Sequence, residues 1–352
     1  MRVLVTGSTG YIGSRLVPSL LSAGHTVYAA MRDPSRVREL AWGDRVEARP
    51  FDLEEPSSAL AATEGIDAAY HLVHAMAEGD FVRKDREAAQ VMAAACETHE
   101  VGRLVYLSGL VPDADELSDH LRSRLEVERV FLDSAVPATV LRAAVIIGSG
   151  STSFELVRRL SERLPVIPLP AWMGGRVQPI AVEDVVHLLT AALDGPARND
   201  HYDVGGDDVV SYPELLDAYA RVAGLRRVHV PVPIVPPAVV GPVVSAITGI
   251  PRGTVTALVE SLEHDMVCHD HRIRDEVGDG HRYLGLDEAL RRSLAQRDDA
   301  TQPGGDVQAS APSDPEWAGG DVWVDGDRPV HEPRSLLSRL ALGIRRDEPP
   351  GP

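Results

Sequence analysis

Apolar and polar positions along the first 145 residues follow a rhythm that switches between two periods. Short apolar runs at 2–6, 26–31, 45–50, 67–73, 102–108 and 137–142 have the length and β-branched content of buried strands. Between them, stretches near 11–23, 56–63, 80–99 and 116–134 carry apolar residues at helical spacing. Strand and helix in repetition predict a doubly wound α/β fold: a parallel sheet with helices on both faces. After Ile147 the pattern loosens. A helix at 152–163 leads into Leu164–Pro170, too rich in proline for a central strand and read as a crossing segment. Residues 177–180 and a helix at 182–193 return toward the sheet. His201–Gly206 reads as a strand ending in a turn, and Ser211 with Pro213 marks a helix start.

The first apolar run ends in Thr6-Gly-Ser-Thr-Gly-Tyr-Ile-Gly13. Gly7 suits a tight turn, Gly10 lets a phosphate approach the backbone, and Gly13 lets the next helix pack closely on the strand. That helix aims its amino-terminal amides at the same point, and Gly24 ends it. Strand, glycine triplet, helix and second strand in this order predict a dinucleotide pyrophosphate at the loop. Ser108 closes the run Arg103–Ser108 and is expected at a carboxyl end of the sheet, where such folds bind ligands.

Composition removes other classes. A net charge of −18 opposes nucleic acid, and 44% apolar content suffices for a core. Two cysteines, Cys96 and Cys268, fit a reducing compartment. The first strand begins too early for a signal peptide, and no unbroken run of about 20 apolar residues occurs, so a cytoplasmic protein without a membrane span is expected. The charge-free, proline-broken segment 228–250 reads either as packing of a small lobe or as the wall of an apolar cleft.

These residues resemble the atypical short-chain dehydrogenase/reductases, in their extended and NmrA-like branch. The loop has that family's T-G-x-x-G-x-x-G spacing. Asp52-Leu53 is similar to the pair that contacts adenine, Leu141 to Gly148 to the family's sixth strand, and Gln178 to Asp184 to a segment bordering the substrate. Tyr202 to Gly206 also fits, and the likeness covers roughly residues 1–290. His71-Leu-Val-His-Ala75 resembles bacterial proteins of the nucleoside-diphosphate-sugar-epimerase-like group; some carry a further C-terminal domain, whose run-in Asp314–Gly320 resembles. The resemblance implies a Rossmann fold with an NAD(P)-binding domain at 1–165 and a small substrate lobe at 166–290, of which 176–205 returns to the sheet. An acidic, largely disordered tail at 291–352 is expected to follow. Within it, 335–346 has helical spacing with basic edges and reads as a partner or membrane contact or as a frayed end.

The expected cofactor contacts are Gly7, Thr9, Gly10, Tyr11, Ile12, Gly13, Arg32, Asp52, Leu53, Val73 and His74. At the end of the second strand, Arg32 suits the 2′-phosphate of NADP, whereas Asp33 suits the free ribose of NAD; the expectation is NADP, with NAD possible. Arg32 also reads as a solvated loop residue, and His71 and His74 as either nicotinamide contacts or a packed pair.

The family's Tyr-x-x-x-Lys dyad cannot exist here. Lys84 is the sole lysine, and residue 80 is Asp. His120 and Arg124 hold the helical spacing in its place. Three readings follow. A working reductase, or an epimerase-like oxidoreductase of an apolar carbonyl compound, would use Ser108 to polarise the carbonyl, His120 to give the proton and Arg124 to grip the ribose. A binding protein would hold NADP without turnover, as a redox sensor or as a scaffold of the NmrA or complex I accessory-subunit type. In the third reading, His120 is a helix-surface residue. His264, Cys268, His269 and His271 cluster at an expected helix end but lack a second ligand pair, so a metal is not expected. Substrate and oligomeric state are not legible.

Overall fold

The computed structural model describes residues 1–74, 80–112, 117–232, 235–295, 299–326, 328–332 and 341. The strands run β1 (Arg2–Thr6), β2 (Thr26–Met31), β3 (Glu47–Pro50), β4 (Ala68–His71), β5 (Arg103–Gly109), β6 (Ala138–Ala143), β7 (Ile146–Ile147) and β8 (Val166–Pro170). They continue with β9 (Arg176–Val177), β10 (Ile180–Ala181), β11 (Asp200–Val204), β12 (Val210–Ser211), β13 (Val228–Val232), β14 (Val322–Asp325) and β15 (Arg328–His331). The helices are α1 (Tyr11–Ser22), α2 (Pro56–Thr63), α3 (Phe81–Thr98), α4 (Asp119–Leu132), α5 (Thr152–Arg163) and α6 (Val182–Ala191). After them come α7 (Tyr212–Val222), α8 (Pro237–Thr248), α9 (Arg252–Ser261), α10 (Arg272–Val277) and α11 (Leu286–Leu294).

Seven strands form one parallel sheet in the order β11-β6-β5-β4-β1-β2-β3. Strand order reverses beside β1, so the chain leaves β1 and β4 in opposite directions and opens a crevice at their carboxyl ends. Both faces of the sheet are covered, which is why its strands read as apolar runs. Val3 and Val5 of β1 pack with Leu16, Val17 and Leu20 of α1 and Val185 and Leu189 of α6. Leu4 faces the other way, with Met92 of α3, Phe131 of α4 and Leu104 and Tyr106 of β5. This is a Rossmann-type doubly wound fold, as expected.

The second lobe gathers around Phe154, Leu215, Tyr219, Leu262 and Leu290. Here Leu164–Pro170 is not simply a crossing segment: its last five residues form β8, which pairs with β13 outside the main sheet. Pro168 and Pro170 are tolerated because this ribbon has only two strands. The charge-free segment supplies β13 and α8. Its Val240 and Val244 pack inward, while Val228, Val230, Val239 and Val243 are exposed. Cavities of about 210 and 250 Å³ are lined by other residues.

Two expectations need correction. Residues 299–326 and 328–332 are not a disordered tail. Gln308 is fully buried and donates to the carbonyls of Ile147 and Ala289, and Val322 and Val324 enter the second core. The stretch lacks apolar periodicity because other elements order it through polar contacts. Residues 333–340 and 342–352, with most of the basic 335–346 stretch, lie outside the described residues. The His264–His271 cluster, in turn, does not share a helix face: it lies in the connection between α9, which stops at Ser261, and α10, whose N-cap is His271. The Cys268 amide donates to Oε1 of Gln178 and the His269 amide to Asp203, so the turn ties the β9–β10 link to β11. Among the described residues no group of three such side chains could hold a metal ion.

Candidate active site

The glycine loop sits where the parallel strands end. Gly7 has φ 68°, in the left-handed region, and a Cβ there would lie 2.8 Å from the Leu72 carbonyl and 3.2 Å from Val73. A Cβ on Gly13 would lie 2.2 Å from the Gly7 carbonyl. Both positions therefore require glycine. Thr6 fixes the neighbouring strand end, its Oγ1 donating to the Tyr70 carbonyl at 3.0 Å and accepting from the Leu72 amide at 3.3 Å. Gly10 is the N-cap of α1, no side chain caps this end, and no acidic residue stands in the first turn. The amides of Tyr11, Ile12 and Gly13 thus lie at an uncapped, positive helix end beside a cradle with no room for side chains, which fits a pyrophosphate.

Other expected contacts border the same edge of the sheet. Val73 follows β4 against the loop, and His74 comes next in the chain. Arg32 follows β2 and is exposed. Asp33 accepts from the Ser35 amide at 3.0 Å and the Ser35 hydroxyl at 2.6 Å, capping the turn Pro34–Glu39. These hydrogen bonds hold its carboxyl below the usual range. Asp52 takes the Glu54 amide at 3.0 Å in the turn that leads to α2, and Leu53 packs partly against the adjoining core.

Of the expected catalytic residues, Ser108 lies on β5 and His120 and Arg124 lie on α4. Ser118 caps α4, accepting from the Leu121 amide, and Ser123 donates to Asp85 of α3 at 2.8 Å. Nε of Arg142 on β6 donates to Glu128 of α4 at 3.0 Å, a nearly buried ion pair that fixes the helix against the sheet. The aliphatic part of Arg124 lies beside Gly109, and its Nη1 sits against the His74 ring, 2.8 Å from Nδ1. Ser108 is 4% exposed, and its Oγ has no hydrogen-bond partner among the described residues. Burial, aided by the Arg124 charge, lowers His120 to about 4 and His71 to about 3, and holds His74 well below its ordinary value. Three neutral imidazoles therefore surround one fixed cation at neutral pH.

Tyr106 was missed in the sequence. It precedes Ser108 by two residues, so strand alternation puts both on one face. Its ring centroid lies 5.5 Å from Phe131, 6.1 Å from His71 and 6.0 Å from His74, an aromatic floor under the serine. Burial raises the phenol pKa, while the nearby Arg124 and Ser108 draw it down.

Strand order, glycine cradle and uncapped helix together define an NAD(P)-binding α/β protein. Residues 7–168 match a family described as NAD(P)H-binding. It is similar to NADH dehydrogenase [ubiquinone] 1 alpha subcomplex subunit 9, mitochondrial, of Arabidopsis thaliana, with 25% identity over 223 residues, 60% of this chain and 56% of that one. An uncharacterized protein of Mycobacterium bovis is 30% identical over 194 residues, 55% of this chain and 20% of its own length. Among solved structures, the triphenylmethane reductase of Citrobacter sp. in complex with NADP(H) has a TM-score of 0.65 at 18% identity, covering 84% of this chain and 100% of that one. The chain thus spans about half the plant relative and a fifth of the mycobacterial one. Among the described residues no helix is long and apolar enough to cross a membrane.

Proposed function

We propose that the chain is an NADPH-dependent reductase of a small apolar carbonyl compound in a reducing compartment, the cytoplasm. One observation carries the reading: the buried Ser108 hydroxyl, without a hydrogen-bond partner among the described residues, next to Tyr106 and the Arg124 cation at the carboxyl edge of the sheet. A substrate carbonyl oxygen is the acceptor that hydroxyl lacks. Leu110 and Leu121 flank the pair and join an apolar cluster with the partly exposed Trp172 and Met173, which favours an apolar substrate.

NADPH, held by the glycine loop and Arg32, would supply the hydride. Ser108 donates to the carbonyl oxygen, and Arg124 offsets the negative charge that develops there. His120 delivers the proton. With a pKa near 4 it is protonated in roughly one molecule in a thousand at pH 7, so proton delivery by His120 requires turnover to rise as pH falls toward 4. Arg32 favours NADP over NAD, because Asp33 is engaged by Ser35 while the exposed Arg32, with no ion pair among the described residues, can meet a 2′-phosphate. The free thiols of Cys96 and Cys268 agree with a reducing compartment.

A second reading, dinucleotide binding without turnover, is favoured by the neutral imidazoles around Arg124 and by the lack of a tyrosine on α4. Mixing the protein with NADPH and a panel of carbonyl compounds separates the two. Oxidation that His120→Ala abolishes supports the reductase; tight NADPH binding with no oxidation of any compound supports the sensor or scaffold.

A further inference from the structure

Arg15, in the second turn of the phosphate-facing helix α1, is 1% exposed. Its guanidinium donates to the Tyr11 carbonyl at 3.1 Å, one turn back, and to Ser149 at 3.0 Å. It also donates to the carbonyls of Val307 at 3.1 Å and Ala309 at 2.8 Å, and lies 4.1 Å above the Tyr11 ring. Asp314 completes the set with two parallel bonds, at 2.8 and 3.0 Å, and is itself held by the Ala311 amide at 2.8 Å. A buried arginine without a counter-charge is costly, and the bidentate carboxylate fixes its plane as well as its charge.

The packing is layered. Residues Gly148 to Gly150 pass between Tyr11 and Asp314. A Cβ on Gly148 would lie 2.2 Å from the Tyr11 hydroxyl, and one on Gly150 2.3 Å from the Asp314 carboxyl carbon. Gly150 also has φ 85°. The residues after Asp314 hold the next helix: the Gly319 amide donates to Glu155 at 2.9 Å and the Asp321 amide to Glu162 at 2.6 Å, both on α5. The segment thus backs the first turn of α1 on the side away from the sheet.

We propose that Asp314 is a positioning residue for the dinucleotide: through Arg15 it fixes the first turn of α1, so that the 299–332 segment sets the affinity of the phosphate cradle. The inference rests on the dinucleotide reading of that cradle. In the full-length chain, Asp314→Asn leaves Arg15 with a neutral partner, and Gly150→Ala pushes the intervening layer against Asp314 without touching the cradle. Each is expected to weaken NADPH binding about tenfold or more, read from nucleotide fluorescence at a temperature where circular dichroism shows the variant folded, with partial recovery in Asp314→Glu. If Asp314→Asn does not fold, the apolar pair Arg15→Met with Asp314→Leu removes both buried charges and is expected to fold yet bind weakly. Folded variants that melt lower but bind NADPH like the wild type overturn the proposal, since stability alone would then be the role of the contact. A wild-type chain that binds neither NADPH nor NADH overturns the cradle reading, and this proposal with it.

Discussion

On the proposed reading Ser108 does two jobs, which variants can separate. Its backbone belongs to β5, in register with Arg142, while its hydroxyl is unspent among the described residues. Ser108→Ala removes only that hydroxyl, so it should lower turnover about a hundredfold, as loss of a donor to a developing oxyanion does, and leave the melting temperature nearly unchanged. Measuring kcat alongside a thermal melt checks both parts. Arg32 is tested by comparing coenzymes. Because a charge-assisted bond to phosphate contributes about 1.5–3 kcal/mol, Arg32→Ala should weaken NADPH by roughly ten- to a hundredfold and leave NADH untouched. Equal losses for both would mean that Arg32 acts through the turn it precedes.

The element that most shapes the site is α4, pinned to the sheet by Arg142–Glu128 and to α3 by Ser123–Asp85. Its inner face covers His71, whose lowered pKa makes the fold depend on pH. The folded chain binds the His71 proton only near pH 3, whereas the unfolded chain binds it below about 6.5. The unfolded state therefore takes up more protons across that window, so stability is present above pH 6.5 and lost as pH falls toward 3. His71→Leu should flatten that dependence; a urea midpoint that falls as steeply with pH in the variant as in the wild type would contradict it.

What was legible in the sequence follows from where each element's stability originates. The β1 and β2 boundaries fall where the apolar runs placed them, because buried parallel strands carry their signal residue by residue. The glycine loop was equally plain, since Gly7 and Gly13 are demanded by backbone geometry. By contrast, Asp314 and Gln308 were unreadable: their partners, Arg15 and Ile147, lie more than 150 positions away and leave no periodic trace. Tyr106 was hidden differently, as one more bulky residue in a strand until its ring proved to lie under Ser108.

At the scale of the whole molecule, β1 and α1 present the cradle, and residues 299–326 link α1 to α5 and to the second core. The core under the cradle should be correspondingly intolerant. Leu16→Ala, at a fully buried position between α1 and the sheet, is expected to cost about 2–5 kcal/mol, measured by urea unfolding. A folded cradle that binds dinucleotide also predicts stabilisation by ligand, about 2.7 kcal/mol at a hundredfold excess over Kd. The most direct test of the central claim is calorimetric titration of NADPH and NADH into the wild type and Gly10→Val. A Cβ at Gly10 meets only the Gly7 carbonyl, at 3.2 Å, so the variant should fold while its side chain fills the phosphate's place. Saturable heat for one dinucleotide per wild-type chain, lost in the variant, is the predicted result. Absence of heat with either coenzyme near millimolar concentration, or equal binding by Gly10→Val, would contradict it.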